Sequence, residues 1–480
     1  MQAASLQLPA ALPATSSRGQ ASATSIPRRG KLPRPTGWQP VLSRLDSQVH
    51  FFQYRDNTLH CEDVDLARCA KEFGTPTYVY SAGTILDHYS RLDAALAPID
   101  HLICYAVKAN SNRAILKLLA NAGAGFDIVS GGELFRVLAA GGDLAKCTFA
   151  GVGKSREEID YALEHGVLSL NVESEPELEQ IDRVAAEKSL RAPIALRVNP
   201  DVDPHTHQYI ATGSQENKFG IALDQIGAVY ARAAGMANIR VAGVQMHIGS
   251  QITEAQPFAN AIEKVVPLLR ELKSKYGIKF FSVGGGMGII YRRALESGSG
   301  KWWHDHGGEP SAFSVCDYAH AIVPPLRDLG IQVLLEPGRF LVGNAGVLLT
   351  RVRYIKQTGS KKFAVVDAGM NDLIRPALYQ SYHEIVPVIE PNGSKPEKVD
   401  IVGPVCESGD FFALDREMSK LRQGDLLAIM SVGAYGFVMA SNYNSRPLPT
   451  EVLVRDDKFA LIRKRQTWED LAHGELNPPW

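Results

Sequence analysis

The group in this sequence best placed to act as a nucleophile is Lys108, which stands in Tyr105-Ala-Val-Lys-Ala-Asn110 at the end of an apolar run that begins at Leu102. At the mouth of a parallel barrel such an amine can form a Schiff base with an aldehyde cofactor, and desolvation there is expected to lower its pKa toward a usable nucleophile. Lys108 heads a series. Later apolar runs lead to Ser130-Gly-Gly-Glu133, Gly151-Val-Gly-Lys154, Glu173, Asn199, His247 to Ser250, Gly284-Gly285-Gly286, and Glu336-Pro-Gly-Arg339. Taken singly, each has a plain structural reading, since a strand-end lysine commonly snorkels and a glycine triplet commonly makes a tight turn. Their convergence is what points to a site.

Each group suggests a part of one chemistry. The glycines from Gly284 to Gly288 can bring bare backbone N–H groups up to a phosphate. A dinucleotide site also uses glycines, but this stretch lacks GxGxxG spacing and no ribose-binding acid follows it. Glu336 follows Val333-Leu334-Leu335, and a carboxylate on a buried strand is costly unless paired; a protonated pyridine nitrogen is one such partner. His247 ends Val-Gln-Met-His and can either stack on an aromatic ring or serve as a hydrogen-bonded core histidine.

Positioning these groups takes a repeated strand–helix unit. Strand-like runs cover residues 101–107, 124–129, 146–150, 167–172, 194–198, 241–248, 280–283 and 331–335, with amphipathic helical segments between them such as 113–120, 133–140, 156–164, 176–188 and 258–276. Eight strands alternating with helices predict an α/β fold, a (β/α)8 barrel whose active site sits at the carboxyl ends of the strands. After about Leu341 strands dominate, over 347–354, 363–366, 384–388, 400–402, 425–430 and 451–455, and a second, β domain follows. The strand-like stretch 49–59 is expected to join it. The expected organisation is 1–40 as a targeting or disordered segment, 41–76 as an N-terminal segment joining the β domain, 77–342 as the barrel and 343–480 as the β domain.

Composition narrows the function classes. With 480 residues, 45% of them hydrophobic, and a formal charge of −1, the chain can bury a large core and carries no field that would recruit nucleic acid or an anionic membrane. No run approaches the roughly 18 apolar residues of a membrane span. Six cysteines without a CxxC pair argue against a disulfide framework and a structural zinc site. The first acidic residue is Asp46, and Ala, Ser, Thr, Pro and Arg fill the chain before it; this is transit-peptide composition.

Seven motifs then occur in a telling order: YAVKAN, HIGSQI, GGGMG, EPGR, the IRPALY segment, CESGD and GAYG. From about Phe51 to Val454 the chain resembles the fold-type III pyridoxal-phosphate decarboxylases, most closely their diaminopimelate decarboxylase branch. The resemblance implies a pyridoxal 5'-phosphate barrel in which Lys108 carries the cofactor, His247 stacks on its ring, Ser250 with Gly284, Gly285 and Gly286 binds phosphate, and Glu336 meets the pyridine nitrogen. It implies that Arg339, Arg375, Tyr379, Glu407 and Tyr435 contact substrate or cofactor, that Cys406 is the proton donor, and that Cys406 and Glu407 reach the site across a homodimer interface. The implied reaction converts meso-2,6-diaminopimelate to L-lysine and CO2, the last step of lysine biosynthesis, in the plastid stroma after removal of the transit peptide.

The substrate choice has its own physical argument. A zwitterionic far end calls for a cation and an anion together, and Arg375 can pair with a carboxylate while Glu407 accepts from an ammonium. Sister decarboxylases of ornithine, arginine or carboxynorspermidine would share Lys108 and Cys406, but diamine precursors have no use for Arg375. A non-catalytic regulator with the same fold has little reason to keep Lys108, Cys406 and Glu407 together. The stretch 291–314 is longer and more polar than the family's usual connection and reads as a surface insertion. Its His304-Asp305-His306 group has metal-ligand residue types, but closely spaced polar residues beside glycines are usually solvated, and no metal is expected.

Overall fold

A computed structural model describes residues 49–203, 219–299, 313–391, 393 and 395–480. The targeting segment proposed for 1–40 and the His304-Asp305-His306 group lie outside them. All eight expected barrel strands form: His101–Ala106, Gly125–Ile128, Cys147–Phe149, Ser169–Val172, Ala192–Asn199, Ile239–Met246, Phe280–Ser282 and Gln332–Leu335. They pair in parallel in that order, and the last closes on the first. The helices that follow the first four strands start at side-chain caps, with Asn112, Ser130, Ser155 and Ser174 each accepting a backbone N–H of the first turn. Such caps are worth about 1 kcal/mol apiece. They fix where each strand-end loop turns back and hence where its polar residues are left.

The strand period of two separates plug from site. Cys104, Ala195, Phe280 and Leu334 form an apolar cluster. Two residues on from Gly125, Ala195, Phe280 and Leu334 stand Asp127, Arg197, Ser282 and Glu336, all buried. The barrel is therefore filled by hydrocarbon low down and carries charge and hydrogen-bonding groups toward its carboxyl end.

The second domain is a β sheet that runs Phe411–Ser419, Pro396–Val402, Lys361–Val366, Gly346–Thr358, Thr77–Ser81, Thr450–Arg455, Lys458–Arg463. The sequence pattern groups Thr77–Ser81 with the barrel, because a short apolar run leading into an amphipathic helix looks like a β/α unit. In the structure this fully buried strand lies inside the β domain, antiparallel to Gly346–Thr358 and parallel to Thr450–Arg455. The expected strand at 49–59 does form, as Phe52–Arg55 and part of Thr58–Cys61, but in a separate three-stranded sheet. That sheet touches the β domain through the Thr58–Ile389 bridge and a 2.8 Å bond from Leu59 N–H to the Val388 carbonyl. Two strands that the sequence pattern does not mark, Phe411–Ser419 and Lys458–Arg463, lie at the two ends of this sheet order and are mostly half-buried or exposed.

The two domains meet at the loop after Lys108. Asn110 Nδ2 donates to the Gly433 carbonyl (3.2 Å) and the Tyr435 N–H to the Ala109 carbonyl (2.8 Å). Buried Glu451 accepts from Tyr80 Oη and Asn112 Nδ2, both at 2.8 Å, and from Arg463. Among the described residues no helix is long and apolar enough to cross a membrane.

Candidate active site

Lys108 occupies the single turn Val107–Ala109 past the first barrel strand, and its Nζ donates to Asp127 Oδ2 at 3.0 Å. Its side chain is 42% exposed, but into a walled recess rather than to bulk water, while Asp127 is fully enclosed. Desolvation does push the amine down, as expected from sequence. Asp127, then Tyr435 and Glu336, more than reverse it, and Lys108 is held above the ordinary lysine value. The expected depression is therefore corrected: a fixed carboxylate at hydrogen-bond distance outweighs burial, and the amine is a charged ammonium in the ligand-free site.

Glu336 forms part of the floor. Ser282 Oγ donates to its Oε1 (2.6 Å) and Gln245 Nε2 to its Oε2 (3.0 Å), so both oxygens are oriented by neutral donors. Burial first and Asp127 second push this carboxyl up to about 7, against Ser282, Lys108 and Gln245, which favour the charged form. His247 takes the Gly285 N–H on its Nδ1 (3.2 Å), which places the ring proton on Nε2. Burial, with Arg197 and Lys108 nearby, holds it well below the usual histidine range and neutral.

The glycine triplet is required by close approach. A Cβ on Gly285 would lie 2.3 Å from the Glu336 carbonyl oxygen, and Gly284 and Gly286 adopt φ of +77° and +104°. Gly285, Gly286, Ser250, Lys108, His247 and Glu336 all line one cavity of about 410 Å3, within the range of small-ligand sites. Tyr379, Arg375 and Tyr435 close it from the β domain.

Arg339 and Arg375 are buried, and neither forms an ion pair with a carboxylate among the described residues. Arg339 donates to Tyr291 Oη (2.5 Å) and Ser250 Oγ (3.1 Å), and its guanidinium lies 4.8 Å over the Tyr435 ring. Arg375 donates to Tyr291 Oη (3.2 Å), Ser381 Oγ (3.3 Å) and His383 Nε2 (3.4 Å). Tyr291 is the first residue of the stretch read as a surface insertion. That reading is corrected at this end, since Tyr291 lies between the two arginines.

Cys406 and Glu407 stand apart from this cavity. Both are exposed, on a loop braced by Asp410, which accepts the Val405 and Met370 N–H groups at 2.6 Å, and by Asn444 Oδ1, which accepts the Cys406 N–H at 2.9 Å. Three other strand-end groups are structural: Glu133 accepts the Val129 N–H (2.8 Å), Lys154 donates to two carbonyls and to Glu177, and Glu173 pairs with Arg197. Sequence reasoning missed Asp127, Arg197 and Tyr291. A charged residue within an apolar strand is itself a signal, and it is present for Asp127 in Gly125–Ile128 and for Arg197 in Ala192–Asn199.

Pyridoxal phosphate suits this donor set. The cavity offers an amine for an aldehyde, a carboxyl with no cationic partner in hydrogen-bond reach, and a glycine wall beside two arginines. Buried polar atoms are also left over, with Asp127 Oδ1, Gln245 Oε1 and Arg339 Nε bonded to nothing among the described residues. Comparison with known proteins agrees. Residues 82–343 match the pyridoxal binding domain of the pyridoxal-dependent decarboxylases. The chain is 52% identical over 425 residues to a diaminopimelate decarboxylase of Pseudomonas aeruginosa, covering 88% of this chain and 98% of that one. It is similar to the diaminopimelate decarboxylase of M. jannaschii solved in complex with L-lysine, with a TM-score of 0.82, 38% identity, and coverage of 90% and 99%. The L-lysine complex of the Helicobacter pylori enzyme superposes with a TM-score of 0.79 at 40% identity, covering 85% and 98%.

The buried carboxyl generates a pH prediction. A native pKa near 7 lies above the ordinary glutamate value of about 4.3, so between these the folded chain keeps a proton that the unfolded chain has released, and stability falls as pH rises through that window. Glu336→Gln in the ligand-free protein should remove its share of that fall, roughly 2–4 kcal/mol between pH 4.5 and 7.5, read from urea unfolding at each pH. Parallel wild-type and variant curves would show that Glu336 ionises as freely in the native state as in the unfolded chain.

Proposed function

The chain belongs to the pyridoxal-dependent decarboxylases, and from that membership we propose how its residues divide the work of turning meso-2,6-diaminopimelate into L-lysine and CO2. Bound pyridoxal phosphate supplies the electron sink that side chains lack for breaking the bond to a departing carboxylate. Lys108 is the amine that would hold the cofactor's aldehyde group, and Asp127 is placed to pair with its ammonium whenever the amine is free. His247 is assigned to the ring's face and Glu336 to the ring nitrogen, where a cation would relieve the cost of ionising a buried carboxyl. Ser250, the Gly284–Gly286 turn and Tyr435 are assigned to the phosphate side, with Arg339, bonded to both Ser250 and Tyr291, standing between that side and the substrate's far end. Arg375, with Tyr379 and Arg339, is assigned to the far end of the substrate.

The observation that carries the substrate assignment is the pair of buried arginines without a protein carboxylate. A ligand with a carboxylate at its far end supplies the missing charge; the bare cation of an ornithine- or arginine-type substrate would be repelled. Arg375→Ala should lower kcat/KM for meso-diaminopimelate at least about tenfold, mainly through KM, because a desolvated charge-assisted pair is worth more than ~1.4 kcal/mol. Unchanged turnover would reopen the choice among sister decarboxylases.

We further propose a homodimer with two composite sites. Its support is that Cys406 and Glu407 are presented outward on a braced loop, away from their own chain's Lys108. In this assembly the Cys406 thiol returns a proton to the carbon that lost its carboxylate, and Glu407 meets the substrate's ammonium. Mixing inactive Lys108→Ala with inactive Cys406→Ala under conditions of subunit exchange should restore partial activity; no rescue with exchange verified would place both residues in one chain's site. The acid-free segment before Asp46 supports plastid import, with the mature enzyme in the stroma. Fusing residues 1–40 to a fluorescent protein tests this, and a fusion left in the cytosol would refute it.

A further inference from the structure

Tyr291 has no part in the assignments above, yet its surroundings are built. The two residues before it are tied down: Gln251 makes two bonds to Ile289, at 2.7 and 3.2 Å, and Asn344 Nδ2 donates to the Ile290 carbonyl at 2.8 Å. Its ring meets His383 edge-on, with centroids 5.2 Å apart at 87°. Its phenol oxygen receives one N–H from Arg339 (2.5 Å) and one from Arg375 (3.2 Å). Two guanidinium groups brought this close repel each other, and Tyr291 Oη is the one acceptor they share among the described residues.

His383 fixes the other edge of Arg375. It is fully buried, and its Nδ1–H donates to the Met430 carbonyl at 2.9 Å, which leaves Nε2 as an acceptor for Arg375 Nε–H. Burial and then Arg375 push this imidazole down to about 3, so it stays neutral and keeps that lone pair. Burial alone would raise the Tyr291 phenol, but Arg339 and Arg375 outweigh it and hold it below the usual tyrosine range, as suits an acceptor between two cations. A second recess of about 220 Å3, lined by Tyr291, Ser381 and Tyr382, shares Arg339, Arg375 and Tyr379 with the Lys108 cavity.

We propose that Tyr291 is a positioning residue for substrate specificity, whose phenol oxygen bridges Arg339 and Arg375 and sets the spacing at which they together receive the carboxylate at the substrate's far end. This rests on the assignment of Arg375 to that carboxylate. Removing the oxygen alone lets the two guanidiniums separate, and the far carboxylate then meets one cation where it met two. The amine end, which engages the cofactor, is unaffected.

The test compares two ligands of the cofactor-loaded enzyme, each measured by calorimetry and as a competitive inhibitor. L-Lysine keeps the far carboxylate, and 1,5-diaminopentane lacks it. Tyr291→Phe keeps the ring and its packing on His383. It should weaken L-lysine binding at least about tenfold while changing the diamine by less than about twofold, and raise KM for meso-diaminopimelate with kcat within about threefold. The visible band of the bound cofactor should persist. His383→Leu, which releases the opposite edge of Arg375, should give the same selective loss and decides the matter if the first variant does not fold. An L-lysine affinity within twofold of wild type, or equal weakening of both ligands, overturns the proposal. Failure of the wild-type enzyme to decarboxylate meso-diaminopimelate would instead strike the substrate assignment, and the two-ligand comparison would still read the role of Tyr291.

Discussion

The mouth of the barrel contains more charge than the protein neutralises, and the rest of the site follows from that constraint. Lys108 is matched by Asp127 at 3.0 Å. Glu336 is held only by neutral donors, and Arg339 and Arg375 lean on a phenol, hydroxyls and a neutral imidazole. Burying such groups costs several kcal/mol each when they are incompletely paired. A fold that keeps them must recover the cost elsewhere, through the apolar plug beneath and through the ligands that complete the pairing. The pushed-up Glu336 carboxyl and the lowered Tyr291 phenol are two expressions of the same imbalance.

Geometry, and not charge alone, makes the imbalance useful. The barrel supplies Lys108, Asp127, His247, Glu336 and Arg339 from the ends of its strands, and the β domain supplies Arg375, Tyr379 and Tyr435. Their relative placement depends on the seam at Asn110, Ala109 and Asn112, where Gly433, Tyr435 and Glu451 are bonded to the segment that carries Lys108. Tyr435 sits at φ +56°, a conformation that costs a non-glycine residue about 1 kcal/mol or more. The Tyr435–Ala109 bond accompanies that strain and keeps the ring beneath Arg339. Movement at this seam would change the angle between the amine and the two guanidiniums together.

Much of this was legible in the sequence because strand-end residues announce themselves. All eight barrel strands, Lys108, His247, the glycine turn and Glu336 follow apolar runs, and the motif order supplied Arg375, Tyr379 and Tyr435 through resemblance. What escaped did so for physical reasons. Asp127 and Arg197 lie inside their strands, where burial depends on which face of the pleat they occupy and the barrel must close before that face is defined. Tyr291 is hidden at the start of a polar stretch whose composition suggests surface, although Gln251 and Asn344 fix the two residues before it and two arginines hold its phenol oxygen. The pKa of Lys108 was misjudged because desolvation is readable from an apolar run, whereas a carboxylate from a neighbouring strand is not. Thr77–Ser81 has a strand's pattern, but nothing local tells which of two sheets will take it.

The central claim is that Lys108 is the amine on which this cavity's chemistry is organised. Its most direct test is borohydride reduction of the pyridoxal-phosphate-loaded protein, followed by proteolysis and mass mapping. The account predicts a single reduced pyridoxyl adduct on the peptide that contains Lys108, with loss of CO2 release from meso-diaminopimelate in the labelled enzyme. An adduct on another lysine, or a protein that takes up no cofactor, would contradict it.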